Sequence, residues 1–114
     1  MKVAVIGSRE IDNIDLGKHL PEGTTEIVSG GARGVDTLAA EYAMSHGLEL
    51  TEFLPNYEAY GKIAPILRNK GIVEYSDCVI AFWDGSSRGT KHVIEYCKKT
   101  NTPCKVVMMR RKLQ

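Results

Sequence analysis

Short apolar runs alternate along this chain with stretches whose apolar residues recur every three or four positions. Val3 to Ile6 is a continuous apolar run ending at Gly7, the pattern of a strand buried on both faces. Asp12 or Asn13 is placed to cap a first helix through Leu16 and Leu20, closed by Pro21 and Gly23. Glu26-Ile27-Val28 predicts a second strand, stopped by Ser29-Gly30-Gly31. Val35, Leu38, Ala39, Tyr42 and Ala43 then follow helical spacing until Gly47 ends the run. Leu48 to Leu54 predicts a third strand, ended by Pro55, and residues 56–62 read as a connection. Pro65 suits the first turn of a helix running towards Tyr75, with Gly71 in its middle. Cys78 to Trp83 is the clearest strand. Val93, Ile94 and Cys97 mark the buried side of a last helix, and Lys105 to Met109 supplies a fifth strand.

Strands alternating with helices require right-handed crossovers and a mostly parallel sheet. The expected class is α/β, a doubly wound five-stranded sheet with helices on both faces, in the order 3-2-1-4-5. Such sheets bind ligands beyond the carboxyl ends of the strands, where the winding reverses. That order brings Gly7-Ser8-Arg9, the loop around Gly30 to Gly34, and Asp84 to Thr90 to one crevice.

The 114 residues fit one domain, 1–114, and the 43% apolar and 25% charged fractions are those of an ordinary globular protein. Net charge is +1, from 15 basic and 14 acidic side chains, which argues against tight nucleic-acid binding. Arg110-Arg111-Lys112 is the one basic run and reads as a solvated tail. Cys78, Cys97 and Cys104 lack CxxC spacing, and no metal-site spacing joins them to His19, His46 or His92; no metal is expected. Free thiols and the absence of a long apolar span or signal-peptide pattern predict a cytoplasmic protein with no membrane contact.

The chemistry concentrates in two glycine-bearing loops, Ser29-Gly30-Gly31-Ala32-Arg33-Gly34-Val35-Asp36 and Asp84-Gly85-Ser86-Ser87-Arg88-Gly89-Thr90. Each follows an apolar run, opens a helical stretch and carries an arginine. Helix N-termini present unpaired N–H groups and a positive dipole end, glycine allows close approach, and arginine forks onto phosphate or carboxylate. The first loop is neither GxGxxG nor a P-loop, so a standard nicotinamide or P-loop site is not indicated there. Gly7-Ser8-Arg9 adds a hydroxyl and a guanidinium, or is a plain strand-to-helix turn. Asp36 is equally a ribose-hydroxyl acceptor or a first-turn acid. Tyr57, Tyr60 and Trp83 are candidates for stacking on a base or for ordinary packing.

These segments, with Tyr60-Gly61-Lys62, Arg68-Asn69-Lys70 and Ser76 to Gly85, resemble the small stand-alone YspA-like members of the SLOG superfamily. That superfamily also holds the DNA-processing protein DprA/Smf and the LOG phosphoribohydrolases. The resemblance implies a Rossmann-like fold, a nucleotide or nucleotide-derived ligand, and a homo-oligomer, often a dimer. Arg68 and Gly89-Thr90 match the arginine and the Gly-Thr pair of the LOG enzymes. Their Pro-Gly-Gly is replaced here by Asp84-Gly85-Ser86-Ser87, and their glutamate falls on Val93, which cannot act as an acid or base.

The leading expectation is therefore nucleotide binding or sensing, with no cofactor specified beyond that ligand. Gly30, Gly31, Arg33, Gly34, Ser87, Arg88, Gly89 and Thr90 form the expected phosphate site, with Ser8 and Arg9 at its rim. Gly7, Asp36, Asp84 and Ser86 complete the binding set. The alternative is an N-glycosidase acting on nucleoside monophosphates, with Arg68 as its catalytic candidate; a DprA-like single-stranded DNA binder is the third reading.

Overall fold

The computed structural model describes residues 1–110. Five strands, β1 (Lys2–Gly7), β2 (Glu26–Ser29), β3 (Glu49–Glu52), β4 (Cys78–Trp83) and β5 (Cys104–Met108), form one sheet in the order β3-β2-β1-β4-β5. Every pairing is parallel. The helices are α1 (Leu16–His19), α2 (Val35–Ser45), α3 (Tyr57–Tyr60), α4 (Ala64–Tyr75) and α5 (Arg88–Thr100), with a 3-10 turn at Gly61–Ile63 joining α3 to α4. The doubly wound α/β architecture and the strand order are those that the alternation of apolar patterns predicts.

Side chains of a strand point alternately to opposite faces, and the three central strands use both. Val3 and Val5 of β1, Ile27 of β2, and Ile80 and Phe82 of β4 pack with Leu16 of α1 and Val35, Ala39 and Ala43 of α2. Ala4, Ile6, Val28, Val79 and Ala81 face the other way, against Ile72 and Val73 of α4 and Val93, Ile94 and Cys97 of α5. The central strands therefore read as unbroken apolar runs. The edge strands β3 and β5 are only partly covered, and Val106 and Met108 of β5 are exposed.

Two local differences from the sequence pattern have physical causes. The first helix is a single turn, because residues 11–15 run irregularly while still burying Ile11. Gly17 of that turn lies against Tyr42 of α2, where an added Cβ would sit 3.0 Å from the phenolic oxygen. The connection at residues 56–62 is partly helical. Asn56 caps α3 by accepting the Ala59 N–H at 3.1 Å, as asparagine does at helix starts. In α4, Pro65 lies in the first turn, and Gly71 leaves room for the Phe53 ring, 3.3 Å from where its Cβ would stand. Among the described residues no helix is long and apolar enough to cross a membrane. Arg111 and Lys112 of the basic run lie outside the described residues.

Candidate functional site

β1 and β4 are neighbours, yet their outgoing connections lead to opposite faces of the sheet. A crevice opens above their carboxyl ends for that topological reason. It is an open cleft of about 380 Å³, lined among others by Gly7, Ser8, Arg9, Gly30, Asp36, Arg68, Asn69, Asp84, Ser87, Gly89 and Thr90.

Ser8 ties the two strand ends together. Its N–H donates to the Phe82 carbonyl at 3.1 Å, and its hydroxyl oxygen accepts the Asp84 N–H at 3.2 Å. Gly7 is required just below it, since a Cβ there would lie 2.5 Å from Val35 and 2.6 Å from the Phe82 oxygen.

The β2 loop forms one wall. Gly34 has φ +75°, and a Cβ on it would meet the Arg9 backbone at 2.7 Å. At Gly30 a Cβ would stand 2.8 Å from Arg68 Nη1 and 3.0 Å from Asp36 Oδ2. Glycine therefore lets a guanidinium and a carboxylate close over the loop backbone. Asp36 is buried at the start of α2, and its Oδ2 accepts the Ala32 N–H at 3.1 Å. Burial pushes its carboxyl above the ordinary aspartate value, against the opposing pull of that hydrogen bond and of Arg68 and Arg9.

Arg68, on α4, is half-buried and held by its frame. Nη1 donates to the Gly30 carbonyl at 2.8 Å and to the Phe53 carbonyl at 3.3 Å, while Nε donates to Asn69 Oδ1 at 2.9 Å. Among the described residues no carboxylate forms an ion pair with it. Burial lowers its pKa, as expected where a cation lacks full compensation, and the nearby Asp36 charge opposes that effect. Asn69 is buried beneath it, with its amide nitrogen 3.5 Å from His92 Nδ1.

The β4 loop forms the opposite wall by a different construction. Asp84 Oδ1 accepts the Ser86 N–H at 2.9 Å, the Ser87 N–H at 2.8 Å and the Ser86 hydroxyl at 3.3 Å. Trp83 Nε1 donates to the Ser87 carbonyl at 3.0 Å, and Ser87 Oγ lies 3.2 Å from Thr90 Oγ1. The loop delivers the N-terminus of α5 to the cleft. The first N–H groups of a helix have no acceptor within it and carry the positive dipole end. Gly89 stands in open space, with no atom within 4 Å of a Cβ position. Val93, one turn into α5, contributes an apolar floor.

Of the residues singled out from sequence, the fold brings Gly7, Ser8, Arg9, Gly30, Asp36, Arg68, Asp84, Ser87, Gly89 and Thr90 to the cleft. Gly31, Gly34, Arg33, Ser86 and Arg88 shape or flank its loops without lining it. Arg33 is largely exposed, with Nη2 3.7 Å from Glu10 Oε1, and Arg88 is exposed at the start of α5. Trp83 is a buttress of the second loop, whereas Tyr57 and Tyr60 of α3 are 58% and 53% exposed. Asn69 was not among the sequence candidates. Its signal was a polar residue at a helical position where burial is expected, one residue after an arginine.

No curated protein and no solved structure gives a significant match to the chain. A family does match, described as YspA, cpYpsA-related SLOG family, over residues 1–60. The match takes in β1, the Ser8 turn, the β2 loop and Asp36, while Arg68 and the β4 loop lie beyond it. It covers more than half of the 114 residues, and the chain belongs to this YspA-related SLOG family.

Proposed function

We propose that the cleft binds the phosphate-bearing part of a nucleotide or a nucleotide-derived ligand. The observation that carries this reading is Arg68: a half-buried guanidinium facing the switch-point cleft, fixed by three hydrogen bonds and without an ion-pair partner among the described residues. A structural arginine at that depth is ordinarily paired, because an uncompensated buried charge is costly. An anion between Arg68 and the N-terminus of α5 supplies the compensation.

In this reading Arg9 adds charge from the rim, and Ser8, Ser87 and Thr90 offer hydroxyls. Gly89 leaves the α5 backbone open to close approach, and Asp36 accepts ribose hydroxyls. The cleft volume suits a mononucleotide. The test is calorimetric titration with the four ribonucleoside monophosphates and their parent nucleosides. At least one monophosphate is expected to bind about tenfold or more tightly than its nucleoside, or about 1.4 kcal/mol. Equal affinity for nucleoside and nucleotide would overturn the reading.

Cleavage of an N-glycosidic bond is the second reading, and Asp36 favours it. With Val93 where the LOG enzymes carry glutamate, Asp36 is a carboxyl group in the cleft whose proton affinity burial raises, as a general acid requires. Incubation with the same monophosphates and chromatography for free base decides it; no base from any of them removes this reading and leaves binding intact.

A further inference from the structure

At the other end of α5 the chain turns sharply. Asn101 adopts the left-handed conformation (φ 61°, ψ 33°), and its N–H caps the Cys97 and Lys98 carbonyls. The Thr102 N–H also donates to the Cys97 carbonyl, at 2.9 Å. This double tie folds the start of β5 back onto the last turn of the helix. It packs Cys104 against the buried cluster that holds Cys97, and both side chains face one groove. Cys97 is fully buried, whereas Cys104 is partly exposed and both line a shallow groove of about 460 Å³ with Lys98. The third thiol, Cys78, packs against the α1–α2 core and shares a second groove with Cys104, whereas Cys97 belongs to the core on the other face of the sheet. Among the described residues no group of metal-ligating side chains converges here.

We propose that Cys104 and Cys97 form a redox-active pair, in which the partly exposed Cys104 is oxidised by a peroxide and the buried Cys97 closes a disulfide. A thiolate is the nucleophile in such chemistry, and a neighbouring thiol resolves the product. The neighbouring Cys97 thiol, aided by the Lys98 charge, holds the Cys104 thiol below its ordinary value, against the effect of burial. The neighbouring Cys104 and burial raise Cys97, which keeps its proton until the second step. In the first step the Cys104 thiolate attacks a peroxide oxygen; the S–O bond forms, the O–O bond breaks, and hydroxide leaves. In the second, Cys97 sulfur attacks Cys104 sulfur and gives its proton to the hydroxide released before. The S–S bond forms as the S–O bond breaks, and the departing hydroxide takes up a solvent proton that restores the balance. Two thiols and one hydrogen peroxide yield one disulfide and two waters. The pair is independent of the cleft, so its fate does not depend on the nucleotide reading.

The test uses the full chain treated with hydrogen peroxide, followed by intact mass and non-reducing tryptic mapping. Lys98 and Lys99 let trypsin separate the two cysteines, so only a disulfide holds their peptides together. The expected result is loss of two hydrogens and a Cys97–Cys104 peptide pair. In untreated protein at neutral pH, iodoacetamide is expected to label Cys104 several-fold faster than Cys78. Cys97→Ala should slow that labelling by removing the neighbouring polar group, while Cys97→Ser, which keeps a hydroxyl there, should preserve it and leave a dimedone-trapped sulfenic acid at Cys104 after peroxide. A cross-link to Cys78 would overturn the proposal. So would over-oxidation of Cys104 without any cross-link, or labelling of Cys104 no faster than Cys78. The wild-type mapping and labelling decide it even where a Cys97 variant fails to fold.

Discussion

The two glycine loops look alike in sequence and are built in opposite ways. In the β2 loop, glycine is demanded by crowding: Gly34 touches the Arg9 backbone with positive φ, and Gly30 lies under Arg68 and Asp36. In the β4 loop, hydrogen bonds accepted by the Asp84 carboxylate and donated by the Trp83 indole set the shape, and Gly89 faces empty space. One glycine set closes the protein onto itself; the other keeps the end of a helix bare. A surface left bare at the mouth of a cleft is where a ligand has room to approach.

The largest expected effect tests the crowded loop. Gly34→Ala combines a disfavoured φ with a backbone clash and should cost about 3 kcal/mol or more, read from chemical denaturation. Near-wild-type stability would show that the loop has slack. Asp84→Ala removes three hydrogen bonds from the open loop and should cost about 1–2 kcal/mol, with Asp84→Asn recovering most of it. Gly89→Ala has the opposite sign. It lies in the first turn of a helix with space around it, so it should stabilise by about 0.5–1 kcal/mol while weakening monophosphate binding. A variant that gains stability and keeps its affinity would mean that no ligand approaches that backbone.

Asp36→Asn gives the smallest effect and sharpens the contrast. The folded pKa of Asp36 is raised, so its carboxyl favours folding below the ordinary aspartate value and loses that contribution as pH rises through the folded value. Asparagine keeps an acceptor for the Ala32 N–H and removes the buried charge. Thermal unfolding at neutral pH should then rise slightly or stay unchanged, with a flatter dependence on pH in the acid range. A marked drop would show that the charge itself holds the loop.

The sheet order was legible because every central strand is apolar on both faces, and the helical spacings of residues 35–43 and 93–97 leave one choice of face. The single-turn α1 was not, since Leu16 and Leu20 fit a longer helix equally well and nothing local announces that Gly17 must meet Tyr42. Near the cleft, composition identified the loops but not the direction of their arginines. Arg33 and Arg88 sit in the glycine-rich segments, yet Arg33 pairs with Glu10 at the surface and Arg88 lies outside the cleft lining. Arg68, far from either loop in sequence, reaches over Gly30 because α4 crosses the sheet beside β1 and β2. Such a long-range approach leaves no local pattern to read.

The central claim is that Arg68 receives an anion in the cleft. Calorimetric titration of the wild type, Arg68→Lys and Arg68→Met with the tightest-binding monophosphate tests it most directly, with cooperative thermal unfolding as the control for folding. The account predicts about a tenfold or greater loss of affinity in Arg68→Met, near 1.4 kcal/mol, with Arg68→Lys intermediate because a point charge replaces a fork. Unchanged affinity in a folded Arg68→Met protein would contradict it.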